Sequence, residues 1–159
     1  MTIAYDEKNT LFYRPLFPSQ AKRIGAFSKN IVLLGIGANQ GNIMQTFKKL
    51  LYILKRHSKI RLIKTSPLLK NPPFGFLEQD DFLNAVLAIE TSYSASELLR
   101  CVLRIEKRLG RKRTFLNAPR IIDIDILFYK NQTIAKKNLC IPHYDWQSRL
   151  SVLLPISLM

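Results

Sequence analysis

Two carboxylates two residues apart, Asp123 and Asp125, lie in the run Pro119-Arg120-Ile121-Ile122-Asp123-Ile124-Asp125-Ile126-Leu127. Four of those nine residues are isoleucine, which predicts a buried β-strand over the run. Strand side chains alternate faces, so residues two apart point the same way and the two carboxylates stand side by side. Like charges so placed on an apolar strand repel unless a cation lies between them. A divalent ion answers that need: hard oxygen ligands suit Mg²⁺, and Mg²⁺ suits phosphate chemistry. Arg120, three residues before the first aspartate, is available to an anionic ligand. A strand end with one solvated aspartate and one capping a loop accounts for the pair equally well, and the pair alone leaves both readings open.

The elements that must position these groups are legible from periodicity and punctuation. Residues 1–30 show no sustained period, contain Pro15 and Pro18, and are expected to form a loosely structured extension. Ile31 to Ile36 is a buried strand, and Gly37 to Asn42 a turn. Helical spacing of Ile43, Phe47, Leu50, Leu51 and Leu54 predicts a helix from about Ile43 to His57. Ile60 to Leu69 is a second strand interrupted by Pro67, Lys70 to Asp81 a loop with Pro72, Pro73 and Gly75, and Phe82 to Glu90 a third strand. Ser94 and Glu97 form a capping box that starts a helix ending at Gly110. A basic loop, the aspartate strand to about Tyr129, a shorter strand and a partly ordered tail complete the chain. The order β-α-β-β-α-β predicts an α+β, ferredoxin-like sandwich, an antiparallel sheet with helices and C-terminal additions. It corresponds to one domain over residues 31–159 following the extension.

The chain has 159 residues, 47% of them hydrophobic, enough for one packed core. No apolar stretch is long enough to span a bilayer, and Arg14 and Pro15 interrupt Leu11-Phe12-Tyr13 before a signal-peptide core develops. Cys101 and Cys140 lack metal-binding spacing and are expected as reduced thiols of a cytoplasmic protein. The net charge of +14 implies anionic partners. Arg100, Arg104, Lys107, Arg108, Arg111, Lys112, Arg113 and Arg120 crowd the segment just before the aspartates. The lysines and arginines between Lys48 and Lys64 are more widely spread, as on solvated faces.

Three further segments bear on chemistry. Gly35-Ile36-Gly37-Ala38-Asn39-Gln40-Gly41 is only superficially a dinucleotide-binding loop, because its third glycine comes one place late; a tight strand-to-helix turn accounts for it better. Asn71-Pro72-Pro73-Phe74-Gly75, with Phe82-Leu83-Asn84, joins a stiff loop to an aromatic and an amide. That set suits a flat heteroaromatic ligand, although spacing alone favours a packed loop with a core phenylalanine. His143 lies in the turn Ile141-Pro142-His143-Tyr144-Asp145, near Arg149, whereas His57 at a helix end is a favourable dipole partner.

The run Ala118 to Leu127 resembles the signature of the 6-hydroxymethyl-7,8-dihydropterin pyrophosphokinase family. Similar to the same family, in the expected order, are Leu34-Gly35-Ile36-Gly37-Ala38-Asn39, Asp81-Phe82-Leu83-Asn84-Ala85-Val86, Arg104-Ile105-Glu106-Lys107-Arg108-Leu109-Gly110-Arg111 and Ile141-Pro142-His143-Tyr144-Asp145. The resemblance implies transfer of pyrophosphate from ATP to the pterin's hydroxymethyl group, with AMP released, in folate biosynthesis. It implies that Asp123 and Asp125 hold two Mg²⁺ ions against ATP as co-substrate. Arg120 is implied on the triphosphate, Arg111 and Arg113 in the basic loop that closes over it, and Arg111, Arg120, Asp123 and Asp125 as the catalytic set. His143, Tyr144 and Arg149 are implied as nucleotide contacts, Asn84 and Phe82 as pterin reader and stacker, and Asn71, Pro72 and Phe74 as the loop lining that pocket. The partners so implied are small molecules, with no nucleic acid and no membrane, for a monomeric cytoplasmic enzyme.

The chain departs from the family pattern at Asn117, where a tryptophan is usual, at Leu116, commonly basic, and at Ser151, commonly aromatic. A basic RNA-binding module of the same fold is the alternative, because it would account directly for the charge. It requires exposed aromatics within a basic signature on the central strands, and Ile121 to Leu127 offers aspartates and isoleucines instead.

Overall fold

The computed structural model describes residues 1–14, 16–20, 30–112 and 114–159. In chain order the strands and helices are β1 (Thr2–Ala4), β2 (Thr10–Phe12), β3 (Ser19–Gln20), β4 (Asn30–Ala38), α1 (Ile43–Lys55), β5 (Ile60–Thr65), β6 (Leu68–Asn71), β7 (Phe82–Thr91), α2 (Ala95–Arg108), β8 (Asp123–Tyr129), β9 (Ile134–Lys136), β10 (Leu139–Ile141) and α3 (Leu150–Ser157). A short 3-10 turn, Trp146–Ser148, precedes α3. The architecture is α+β, an antiparallel sheet with helices on it. Its strand order is β1-β2-β6-β7-β4-β8, with β5 beside β7 and β3 beside β5, and β9 and β10 form a separate hairpin.

β4 lies between β7 and β8, so both of its edges are paired, with a register shift against β8 between Leu33 and Leu34. β5 and β6 are consecutive parts of one broken strand along β7. The break falls at Ser66 and Pro67, where the proline offers no N–H; Ser66 fills the gap by accepting from Val86 N through its Oγ at 2.9 Å.

The helices start where capping chemistry allows. Asn42 caps α1 by accepting from Gln45 N at 3.0 Å, and the Ser94–Glu97 capping box opens α2. α2 ends before Gly110, whose φ of +96° is the left-handed conformation that glycine adopts without a Cβ clash. The apolar stripes Phe47, Leu50, Leu51, Leu54 and Leu98, Cys101, Val102, Ile105 are buried on one sheet face, against Val32, Leu34, Ile36, Leu87, Ile89, Ile124 and Ile126. Each fully buried large side chain contributes about 1.5–3 kcal/mol. α3 covers part of the opposite face, with Val152 on Val86 and Leu127, and Leu154 on Leu11 and Leu69.

Four differences from the sequence reading have physical causes. The described part of the N-terminal extension forms β1, β2 and β3, strands of two or three residues that are too short to show a period. β4 continues through Gly35 and Gly37 to Ala38, so the turn begins only at Asn39. The aspartate strand begins at Asp123, leaving residues 119–122 as loop. The tail is ordered as α3, even with Pro155 inside it. Just beyond the C-terminus of α1, the His57 ring meets Tyr93 edge-on at 5.6 Å, and burial, then Arg104 and Lys59, lower its pKa.

Candidate active site

The face of β8 opposite α1 and α2 carries Asp123 and Asp125, because Ile124 and Ile126 occupy the helix side. In register, Asp123 lies across from Gly37 and Asp125 from Gly35. On the far side of β4, Gly37 faces Asn84 and Gly35 faces Val86. Asp123, Gly37 and Asn84 thus form one row across three strands, with a glycine leaving the middle of the floor bare. On β6 the position across from Asn84 is Leu69, and Asn71, two residues on and across from Phe82, reaches over diagonally so that its Oδ1 accepts from Asn84 Nδ2 at 2.7 Å. Glycines inside a strand mark a close approach by another group.

Above this floor opens a cleft of about 780 Å³, walled by residues 71–74, by residues 111–112 and 114–120, and by the start of α3. It is lined by Asp123, Asp125, Arg111, Arg120, Asn71, Pro72, Phe74, Phe82, Asn84, His143, Tyr144 and Arg149, all anticipated from the sequence. Arg113, anticipated with them, lies outside the described residues. Ser151 lines the cleft as well.

Arginine is the cation beside Asp123 here. Arg111 Nη1 donates to its Oδ1 at 2.5 Å and Arg120 Nη1 to its Oδ2 at 2.6 Å. Arg120 can fold back across three residues because it precedes the strand, so its side chain does not obey strand alternation. Asp125 has a different fate: burial, then the charge of Asp123, push its carboxyl up to about 7, against the pull of Arg149 and Arg111. The pair is therefore one carboxylate held by two arginines next to one buried carboxyl whose pKa is raised.

Two supporting residues escaped the sequence reading. Glu106 on α2 is buried, and its Oε1 accepts from Arg111 Nη1 at 2.5 Å and from Ile124 N at 2.7 Å. It fastens Arg111 to the aspartate strand, and burial raises its own pKa. Asn39, buried just after β4, accepts from Arg120 N at 2.8 Å and donates to Gln79 Oε1 at 2.8 Å and Asp80 O at 3.0 Å. Gln79 in turn donates to the Asn117 carbonyl at 3.0 Å, and Phe76 meets Phe115 edge-on at 5.4 Å. The two loops that wall the cleft are thereby tied together through Asn39. A buried amide in what reads as a plain turn was the only local signal.

The aromatics sit beside cations. Arg120 lies over the Phe82 ring at 5.5 Å, and Arg149 over the Phe74 ring at 5.4 Å. Arg149 Nη2 donates to Asp145 Oδ2 at 3.0 Å, while its buried Nε has no hydrogen-bond partner among the described residues. His143 stacks on Tyr144 at 4.7 Å, and burial, then Arg149, lower its pKa. Its Nδ1 accepts from Asp145 N at 3.3 Å.

Fold and cleft together define an α+β protein whose sheet face joins a carboxylate–arginine cluster to an amide–aromatic pocket. The 7,8-dihydro-6-hydroxymethylpterin-pyrophosphokinase family model matches residues 33–159, and the chain belongs to that family. It is 42% identical over 144 residues to the 2-amino-4-hydroxy-6-hydroxymethyldihydropteridine pyrophosphokinase of Helicobacter pylori, covering 89% of this chain and 88% of that one. The Campylobacter jejuni protein of the same name is 37% identical over 143 residues, 90% of each chain. That of Bacillus subtilis is 33% identical over 128 residues, 80% of this chain and 77% of its own. The RNA-binding alternative gains no support from these matches or from a sheet face bearing two aspartates. Among the described residues no helix is long and apolar enough to cross a membrane.

Proposed function

We propose that this chain transfers the pyrophosphoryl group of ATP to the hydroxymethyl group of 6-hydroxymethyl-7,8-dihydropterin, releasing AMP, as a step of folate biosynthesis. The observation that supports the reading is the single row Asp123–Gly37–Asn84, in which the carboxylate–arginine cluster and the Asn84 amide stand about two strand spacings apart, roughly 10 Å. A ligand with a flat ring at one end and an alcohol at the other fits along that floor. Family membership supports the same reaction.

On this reading Asn84, held by Asn71, reads the edge of the pterin, and Phe82 stacks on its face; Pro72 and Phe74 close the pocket wall. Arg111 and Arg120 turn from Asp123 toward the phosphates, where bidentate contacts spread the charge that develops in transfer. The unpartnered Nε of Arg149 adds a donor for an anionic ligand, and His143 and Tyr144 offer aromatic surface to the nucleotide. Arg113 is proposed as a further contact from the basic loop. The hydroxymethyl oxygen bonds to the β-phosphorus, the bond from that phosphorus to the AMP oxygen breaks, and the hydroxyl proton is released. Alignment and charge neutralisation, rather than a strong base, are what this step requires.

Asp123 and Asp125 suit Mg²⁺. They are hard oxygen donors on one strand face, and a dication would offset both the burial of Asp125, the larger cause of its raised pKa, and the neighbouring charge of Asp123. They would hold two such ions, whose chemistry is neutralisation and alignment of the phosphate oxygens. Residues 31–159 are proposed as the catalytic unit, working as a cytoplasmic monomer.

The test is AMP formation from MgATP with and without 6-hydroxymethyl-7,8-dihydropterin. Pterin-dependent AMP is expected; its absence from correctly folded protein would remove the reading.

A further inference from the structure

We propose that β2, which precedes the region matched by the family, is a positioning element of the cleft: it braces β6 and α3 and so sets where Asn71 and Arg149 stand. β6 pairs with β7 on one side, and β2 occupies its other side, with Leu11 across from Leu69 and Thr10 across from Lys70. Without β2, the strand that presents Asn71 would be a four-residue edge.

The side chains make a second link. Leu11 is 5% exposed and packs with Leu69 and Leu154, joined by Tyr13 and Leu150. Phe12 turns the other way, into the helix-side core, as strand alternation requires. Leu154 and Leu150 belong to α3, and Arg149 is the residue at its N-terminus. One apolar cluster therefore underlies both the strand ending at Asn71 and the helix beginning at Arg149. The two meet again at the cleft, where Arg149 lies over Phe74, three residues beyond Asn71. A shift of β2 moves both walls of the pocket while leaving β4 and β8, with the two aspartates, in place.

The inference rests on the reading of Asn71 and Arg149 as ligand-contacting residues, so its test has an arm that needs no turnover. Leu11→Ala and Leu11→Met are compared in the full chain with Leu54→Ala, which damages only the helix-side core. Leu11→Ala is expected to raise KM for pterin and MgATP roughly ten-fold with little change in kcat, the scale that small misplacements produce. Leu11→Met restores wild-type KM because it conserves volume, and Leu54→Ala lowers Tm without moving KM. Amide exchange in Leu11→Ala accelerates across 68–71 and 150–157 and not across β4 or β8. Should Leu11→Ala fail to fold, Tyr13→Ala, which removes a partly buried ring, repeats the comparison. KM values unchanged in an active variant, or raised equally by Leu54→Ala, overturn the proposal. Exchange unchanged in both segments overturns it even if the wild-type chain forms no pterin-dependent AMP.

Discussion

Gly37 lies so close to Asn84 that a Cβ on the glycine would stand 2.5 Å from the Asn84 Oδ1. No flexible tip can yield there, because Asn84 Nδ2 is held by Asn71 at 2.7 Å. Gly37→Ala should therefore displace the amide and weaken pterin binding about ten-fold, the loss of one hydrogen-bonded contact, with MgATP affinity close to wild type. Calorimetric titration of each ligand checks this; equal losses for both would contradict the division of the floor.

The two aspartates should separate in stability while agreeing in activity. Asp123→Asn and Asp125→Asn each reduce turnover by about 10²–10³-fold or more, the scale of losing a preorganised charge contact. Asp123→Asn weakens two charge-assisted hydrogen bonds, from Arg111 and Arg120, and lowers stability by about 1 kcal/mol. Asp125→Asn removes a buried like charge and holds or raises Tm. Thermal melts of both variants distinguish these outcomes, and a stabilised Asp123→Asn would refute the pairing described.

Asp125 also predicts a pH dependence. Its folded pKa of about 7 is above the ordinary 3.8, so the folded chain keeps a proton that the unfolded chain has lost. The contribution is fully present below the ordinary value and is lost as pH rises through the folded one. The Tm of wild type relative to Asp125→Asn should thus fall between about pH 4 and about pH 8, with added Mg²⁺ stabilising wild type more at the upper end because the ion competes with that proton. A difference that stays flat with pH would refute the assignment.

Glu106→Gln keeps an acceptor for the Ile124 N–H but removes the charge facing Arg111. About a ten-fold loss in kcat/KM is expected from the loosened guanidinium, with secondary structure unchanged by circular dichroism. Full activity in this variant would make Glu106 a purely structural residue.

The chemistry-bearing residues were legible in the sequence because local spacing controls them. Asp123 and Asp125 share a face by strand alternation alone, and Ser94 with Glu97 announces a helix start within four residues. Leu11 was not legible: β2 is three residues long, and its pairing with β6 depends on residues far along the chain. Asn39 and Glu106 were missed for the same reason, since each acts through partners on other elements.

By itself, then, the sequence determined the α+β order, the carboxylate pair and the resemblance to the pyrophosphokinases, all carried by short-range pattern. Only the tertiary structure decided that Gly37 separates Asp123 from Asn84 on one floor. It alone assigned Arg111 and Arg120 to one aspartate and buried the other, raising its pKa. Those outcomes depend on register between β4, β7 and β8 and on burial, which distant segments create together.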